Sequence, residues 1–200
     1  DAVFGWRDDI SHIRFAGTTD LDIFQKVATL RAYTPTAQER DTFFDQLPIE
    51  LEKTTATLKP AIYPGVRELL DRLTRDPRVL VGLVTGNVET CAKRKLQFFD
   101  LHNHFLLGAF GHERADRADI ARLALRRAHA MLQAGQKIEK IFLIGDTPSD
   151  IDAAKIIHAT CLAVATGIYD EASLRQAGAD FVLRDLSNIP EVLHILNLAE

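Results

Sequence analysis

The strongest constraint in this chain is a succession of short aliphatic runs, each followed by a helical pattern, from residue 60 onward. Val79-Leu80-Val81-Gly82-Leu83-Val84 is the clearest run, and further strands are expected over 105–110, 141–144, 161–165 and 181–183. Helices are expected between and around them, over 66–74, 89–99, 119–134, 149–158, 171–177 and 189–198. The runs are continuously apolar instead of alternating with polar residues, as in strands buried on both faces. Strands that alternate with helices predict a parallel sheet wrapped on both sides. The expected fold is therefore α/β, a doubly wound, Rossmann-like parallel sheet.

The first sixty residues have a different texture. Helices are expected over 20–32 and 36–57, separated by turn signals. Thr36 and Glu39 have capping-box spacing, and Pro35 keeps the residue before it out of a helix. Pro48 is expected to kink or split the second helix. The division this suggests is a small helical module over 1–58 and an α/β core over 59–200.

Composition narrows the function. A net charge of −4 leaves no electrostatic footprint for nucleic acid. No apolar run reaches the length of a membrane span, and the amino-terminal residues show no signal-peptide pattern. Cys91 and Cys161 sit in apolar contexts and are expected as buried free thiols, which fits a reducing cytoplasm.

Ligands of such sheets bind beyond the carboxyl ends of the strands, so the polar residues there carry the chemistry. Thr85-Gly86-Asn87 follows the 79–84 run. A hydroxyl and backbone N–H groups leading into a helix make an oxyanion cradle; the plainer reading is an ordinary turn with Asn87 as the helix cap. Gly145-Asp146-Thr147-Pro148-Ser149-Asp150 follows the 141–144 run. Capping accounts for Ser149 or Asp150 but not for Asp146, and two carboxylates four apart at a strand end suit Mg²⁺. A metal loop beside a hydroxyl cradle is what phosphoryl transfer requires.

On these residues the chain resembles the haloacid-dehalogenase superfamily of hydrolases. Val84-Thr85-Gly86-Asn87 is similar to the second motif of that family, and Gly145 through Ile151 to its fourth. Tyr63-Pro64-Gly65-Val66, Ala165-Thr166-Gly167 and Ala177-Gly178-Ala179-Asp180 extend the resemblance to the phosphoglycolate-phosphatase-like branch. The resemblance implies that Thr85 hydrogen-bonds the transferring phosphoryl group, helped by the backbone of Gly86 and Asn87. It implies that Asp146 binds Mg²⁺ and that Asp150 supports the metal site. The third motif should supply a cation, usually Lys, between residues 111 and 120; only arginines stand there, and Arg117 is preferred to Arg114. Lys93 and Lys95 read as surface charges. The helical module resembles the family's cap, in which Thr19 and Asp20 would contact substrate or cap the following helix.

The family's defining Asp-x-Asp-x-Thr strand carries the nucleophile and the general acid/base. It precedes the cap, and this chain opens at Asp1 within the cap-like segment, so the motif is expected to be missing. Asp20-Leu21-Asp22 imitates it but follows no aliphatic strand. A missing central strand would leave a gap of about 10 Å in the sheet. An upstream segment belonging to the natural protein is the favoured explanation; a strand added by another polypeptide and a re-paired, inactive sheet are the others. The expected function is Mg²⁺-dependent hydrolysis of a small phosphorylated metabolite through an aspartyl-phosphate, with little turnover by this chain alone. The alternative is an inactive relic that binds phosphate or a partner.

Overall fold

A computed structural model describes residues 3–6, 16–55 and 60–199. Two helices come first, α1 (Asp20–Leu30) and α2 (Ala37–Thr55). Thr19 caps α1, its hydroxyl accepting from the Asp22 N–H at 3.1 Å. The Thr36/Glu39 box forms at the head of α2: the Thr36 N–H donates to Glu39 at 2.8 Å and the Glu39 N–H to the Thr36 hydroxyl at 3.2 Å. Pro48 does not split α2, which runs through it with the ring buried. The expected end of that helix, residues 56 and 57, lies outside the described residues.

The remaining elements alternate as the sequence predicts. They are α3 (Val66–Arg75), β1 (Gly82–Val84), α4 (Glu89–Phe98), a 3-10 turn (His102–His104), β2 (Leu107–Ala109), α5 (Arg117–Met131), β3 (Phe142–Gly145), α6 (Pro148–Ile156), β4 (Thr160–Val164), α7 (Glu171–Gln176), β5 (Phe181–Leu183) and α8 (Ile189–Ile195). Every strand pair is parallel. Leu69 and Leu73 of α3 join Val192 and Ile195 of α8 on one side of the strands, with Leu162 and Val164 of β4. Ala118, Ala121, Ile151, Ala153, Ala154 and Leu174, from α5, α6 and α7, cover the other side. Helices on both faces make the sheet doubly wound.

Among the described residues the strands form two ladders, β1-β2 and β3-β4-β5, and none joins β1 to β3. The two nonetheless share a core: Val84 packs into the cluster that holds Leu143, and Val81 into the one that holds Phe142 and Ile144. Alternation along a parallel strand says where the unpaired groups point. The Thr85 N–H and the Val81 carbonyl both face β2, so Gly82 and Val84 direct theirs away from it. The Ile141 carbonyl faces β4, so Phe142 and Ile144 direct theirs away from that strand. Burial agrees: β4 is buried along nearly its whole length, whereas β1 is half-exposed. Single-sided pairing also shortens β1 to three residues, against the six expected.

Cys91 and Cys161 are buried free thiols, and burial pushes them up to about 11 and about 12. Among the described residues no helix is long and apolar enough to cross a membrane.

Candidate active site at the carboxyl ends of the strands

The loop after β3 is built from the start of α6. Pro148 is the first helical residue, where its missing N–H costs nothing. Thr147 is the cap, and with Asp150 it closes a capping box. Asp150 is 2% exposed, and both of its oxygens are engaged. Oδ2 accepts from the Thr147 hydroxyl at 2.8 Å and from the N–H groups of Asp146 and Thr147 at 3.2 Å. Oδ1 accepts from Nε of Arg117 at 2.8 Å, and Nη2 of the same guanidinium forms an ion pair with it, also at 2.8 Å. Capping accounts for Asp150, as the sequence allowed, and its carboxylate holds the loop together.

Asp146 has the opposite character. Its side chain lies against the loop after β4, so closely that a Cβ on Gly167 would stand 2.2 Å from Oδ2. Only glycine leaves that carboxylate room. Burial raises the Asp146 pKa above the ordinary carboxylate range, and the charge of Asp150 raises it further, with Arg117 opposing. A carboxylate burdened in this way gains from a cation. Among the described residues no three His, Cys, Asp or Glu side chains gather closely enough to form a metal cage.

Arg117, the first residue of α5, thus stands in the loop cluster, positioned by Asp116, which caps the helix through the Ala118 and Asp119 N–H groups. Arg114 is turned away, donating to the Glu113 carbonyl on an exposed loop.

The loop after β1 is held by α1. The Asp20 N–H donates to the Gly86 carbonyl at 2.7 Å, and the Leu21 N–H to the Gly111 carbonyl at 3.1 Å. Gly111 and Gly86 approach so closely that a Cβ on Gly111 would stand 1.6 Å from the Gly86 oxygen. Asn87 is not the cap of α4. Val88 holds that position, and its N–H is met by the Asp20 carboxylate at 2.6 Å, from 68 residues away in the chain. Burial raises the Asp20 pKa, while the Val88 N–H, Lys95, the Asn87 amide and His112 lower it. The Asn87 N–H donates to the Thr85 hydroxyl oxygen at 3.2 Å. That N–H is spent within the loop, and Thr85 keeps its O–H to donate.

Thr19 and Asp20 therefore act on protein groups. The Thr19 hydroxyl, 1% exposed, donates to the Ala115 carbonyl at 2.8 Å. Gly17 lies over the β3 loop, where a Cβ would meet the Ser149 Oγ at 2.7 Å. No hydrogen bond among the described residues joins Thr85 to Asp146; residues 17–20 bridge the two loops instead. Lys95 is an exposed charge, as expected, but it also reaches the loop after β1. Its Nζ donates to Asn87 Oδ1 at 2.7 Å, whereas Lys93 pairs with Glu89 on the helix surface. The signal was its position four residues after buried Cys91, on the same helix face.

Known proteins are similar to this chain in sequence and in fold. Over 132 residues the chain is 26% identical to the phosphoglycolate phosphatase of Chromobacterium violaceum, a match that covers 66% of this chain and 56% of that protein. The chain thus spans little more than half the length of that curated relative. A hydrolase from Pseudomonas syringae has the same fold, with a TM-score of 0.65 at 20% identity over 92% of this chain and 80% of that one. So does CbbY from Rhodobacter sphaeroides, solved in complex with phosphate, with a TM-score of 0.63 at 19% identity over 92% of this chain and 82% of that one. The sequence model of the haloacid dehalogenase-like hydrolases matches residues 3–155, and the chain belongs to that family.

Proposed function

We propose that this chain carries the phosphate and metal sites of a Mg²⁺-dependent hydrolase of small phosphate monoesters, with residues 1–58 as its cap. The observation that carries this reading is the trio at the end of β3: Asp146 against Gly167, backed by Asp150 and Arg117. Asp146 would hold the cation, and Asp150 with Arg117 would fix the loop that aims it. Bound Mg²⁺ would neutralise charge on the phosphoryl oxygens. Thr85, at the end of β1, would donate its hydroxyl to one of those oxygens.

The reaction needs a nucleophile as well, for which the family resemblance implies an aspartate on a strand between β1 and β3. The outward-directed backbone groups of Gly82, Val84, Phe142 and Ile144 support such a strand, since unpaired N–H and C=O groups in a core are costly. The nucleophile would attack phosphorus and break the ester P–O bond, releasing the alcohol and giving an aspartyl-phosphate, which water would then hydrolyse to inorganic phosphate and the free carboxylate.

The test is hydrolysis of p-nitrophenyl phosphate with Mg²⁺, by protein that carries an Asp-x-Asp strand ahead of the cap. Asp146→Asn and Thr85→Ala should each lower kcat by about 100-fold or more. Retained activity in either would overturn the corresponding role. Robust turnover by this chain alone, abolished by Asp146→Ala, would place the nucleophile elsewhere and overturn the strand assignment.

A further inference from the structure

Two positively charged side chains stand at the candidate site, and they are held differently. Arg117 is committed to Asp150, a carboxylate that is almost fully buried. Lys95 is held by a neutral group, the Asn87 amide oxygen. Among the described residues Lys95 forms no close ion pair, although its charge acts on the Asp20 carboxylate, whereas Lys93 pairs with Glu89 one helical turn away. The Asn87 amide is fixed from both ends, since its nitrogen side meets the Asp20 carboxylate while its oxygen receives Lys95. Asn87 is also the residue whose N–H holds the Thr85 hydroxyl oxygen. One residue thus ties the Lys95 ammonium to the cradle, through its side-chain amide on one side and its backbone N–H on the other.

An ammonium held by an amide keeps its full charge and two donors. A phosphate dianion entering this site meets Asp20, Asp146 and Asp150, against only Arg117 and Lys95, and Arg117 is already neutralised by its partner. We propose that Lys95 is an anion-binding residue of the cradle, supplying on the β1 side a positive charge, not spent in a close ion pair, that receives the phosphate group. This rests on the reading of Thr85 as the phosphate cradle. Because Lys95 is exposed, its contribution is screened by salt and is greatest at low ionic strength.

The test is a calorimetric titration of this chain with inorganic phosphate, at low salt and with Mg²⁺ present. Lys95→Met, Lys95→Arg and Thr85→Ala are compared with the unaltered chain. Lys95→Met should bind phosphate about tenfold more weakly and show a shallower salt dependence, at an unchanged Tm. Lys95→Arg, which keeps the charge, should retain affinity to within about threefold. Equal weakening in the Met and Arg variants would overturn the charge argument. Wild-type affinity in Lys95→Met, with affinity lost in Thr85→Ala, would remove Lys95 from the cradle and leave the cradle standing. No binding by the unaltered chain would overturn both.

Discussion

Asp146 and Asp150 are four residues apart and look alike in the sequence, yet their environments give them opposite energetics. Asp150 is paired and saturated with donors, so its loss leaves Arg117 and two loop N–H groups without their acceptor. Asp150→Ala should cost roughly 3 kcal/mol in urea denaturation. Asp146 is penalised instead. Its pKa is raised in the folded chain, so the folded state binds that proton more tightly than the unfolded state does. The stability this gives is complete below the ordinary carboxylate value and is lost as pH rises through the raised one. At neutral pH and with the metal chelated, Asp146→Asn should therefore melt about 2 °C higher. Mg²⁺ should then raise the Tm of the unaltered chain but not of the variant. Unchanged stability in Asp150→Ala, or a lower Tm in Asp146→Asn, would refute this division. The strand-end positions of Thr85 and Asp146 were legible because Thr85 follows an aliphatic run directly and Asp146 follows one after a single glycine. The saturation of Asp150 and the Asp20–Val88 bond were not, since both depend on partners far along the chain.

At the scale of elements, α1 does more than open the helical module. Its first turn supplies the N–H groups that close on Gly86 and Gly111, and Thr19 and Asp20 anchor it to the Ala115 carbonyl and the Val88 N–H. The helix end satisfies its own orphan donors with loop carbonyls of the α/β core. Thr19→Val keeps the side chain's shape and removes both hydrogen bonds at a buried position. It should cost about 2 kcal/mol, read as a lower urea midpoint at unchanged slope. A change within error would mean that water replaces the lost partners. Helix positions were legible from periodicity and caps to within a few residues, as the Thr36/Glu39 box at the head of α2 illustrates. Strand lengths were not. The aliphatic run 79–84 promised a long strand, but a ladder extends only as far as a partner does, and β1 pairs on one side alone.

For the whole molecule, the fold class followed from the alternation of runs and helices, and the two ladders part between β1 and β3, where the resemblance leads one to expect a gap in the sheet. The helices and the loop of residues 17–20 carry the connection that a strand pair would otherwise make. α5 packs against β1, β2 and α6, with Ile120 and Ala124 facing β2 and Ala118 and Ala121 facing α6. That leaves the backbone groups of Val84 and Ile144 directed away from the one strand that each of theirs pairs with among the described residues, whereas β4 pairs on both sides. Hydrogen exchange reads this difference directly, because protection follows the free energy of the opening that exposes each amide. The amides of Val84 and Ile144 should exchange by local fluctuation, while those of Leu162 and Ala163 exchange only with global unfolding. A denaturant series separates the two, since local exchange is insensitive to denaturant and global exchange is not. Global protection at Val84 and Ile144 would show that their hydrogen-bonding groups are already paired, and would remove the structural support for a strand between β1 and β3.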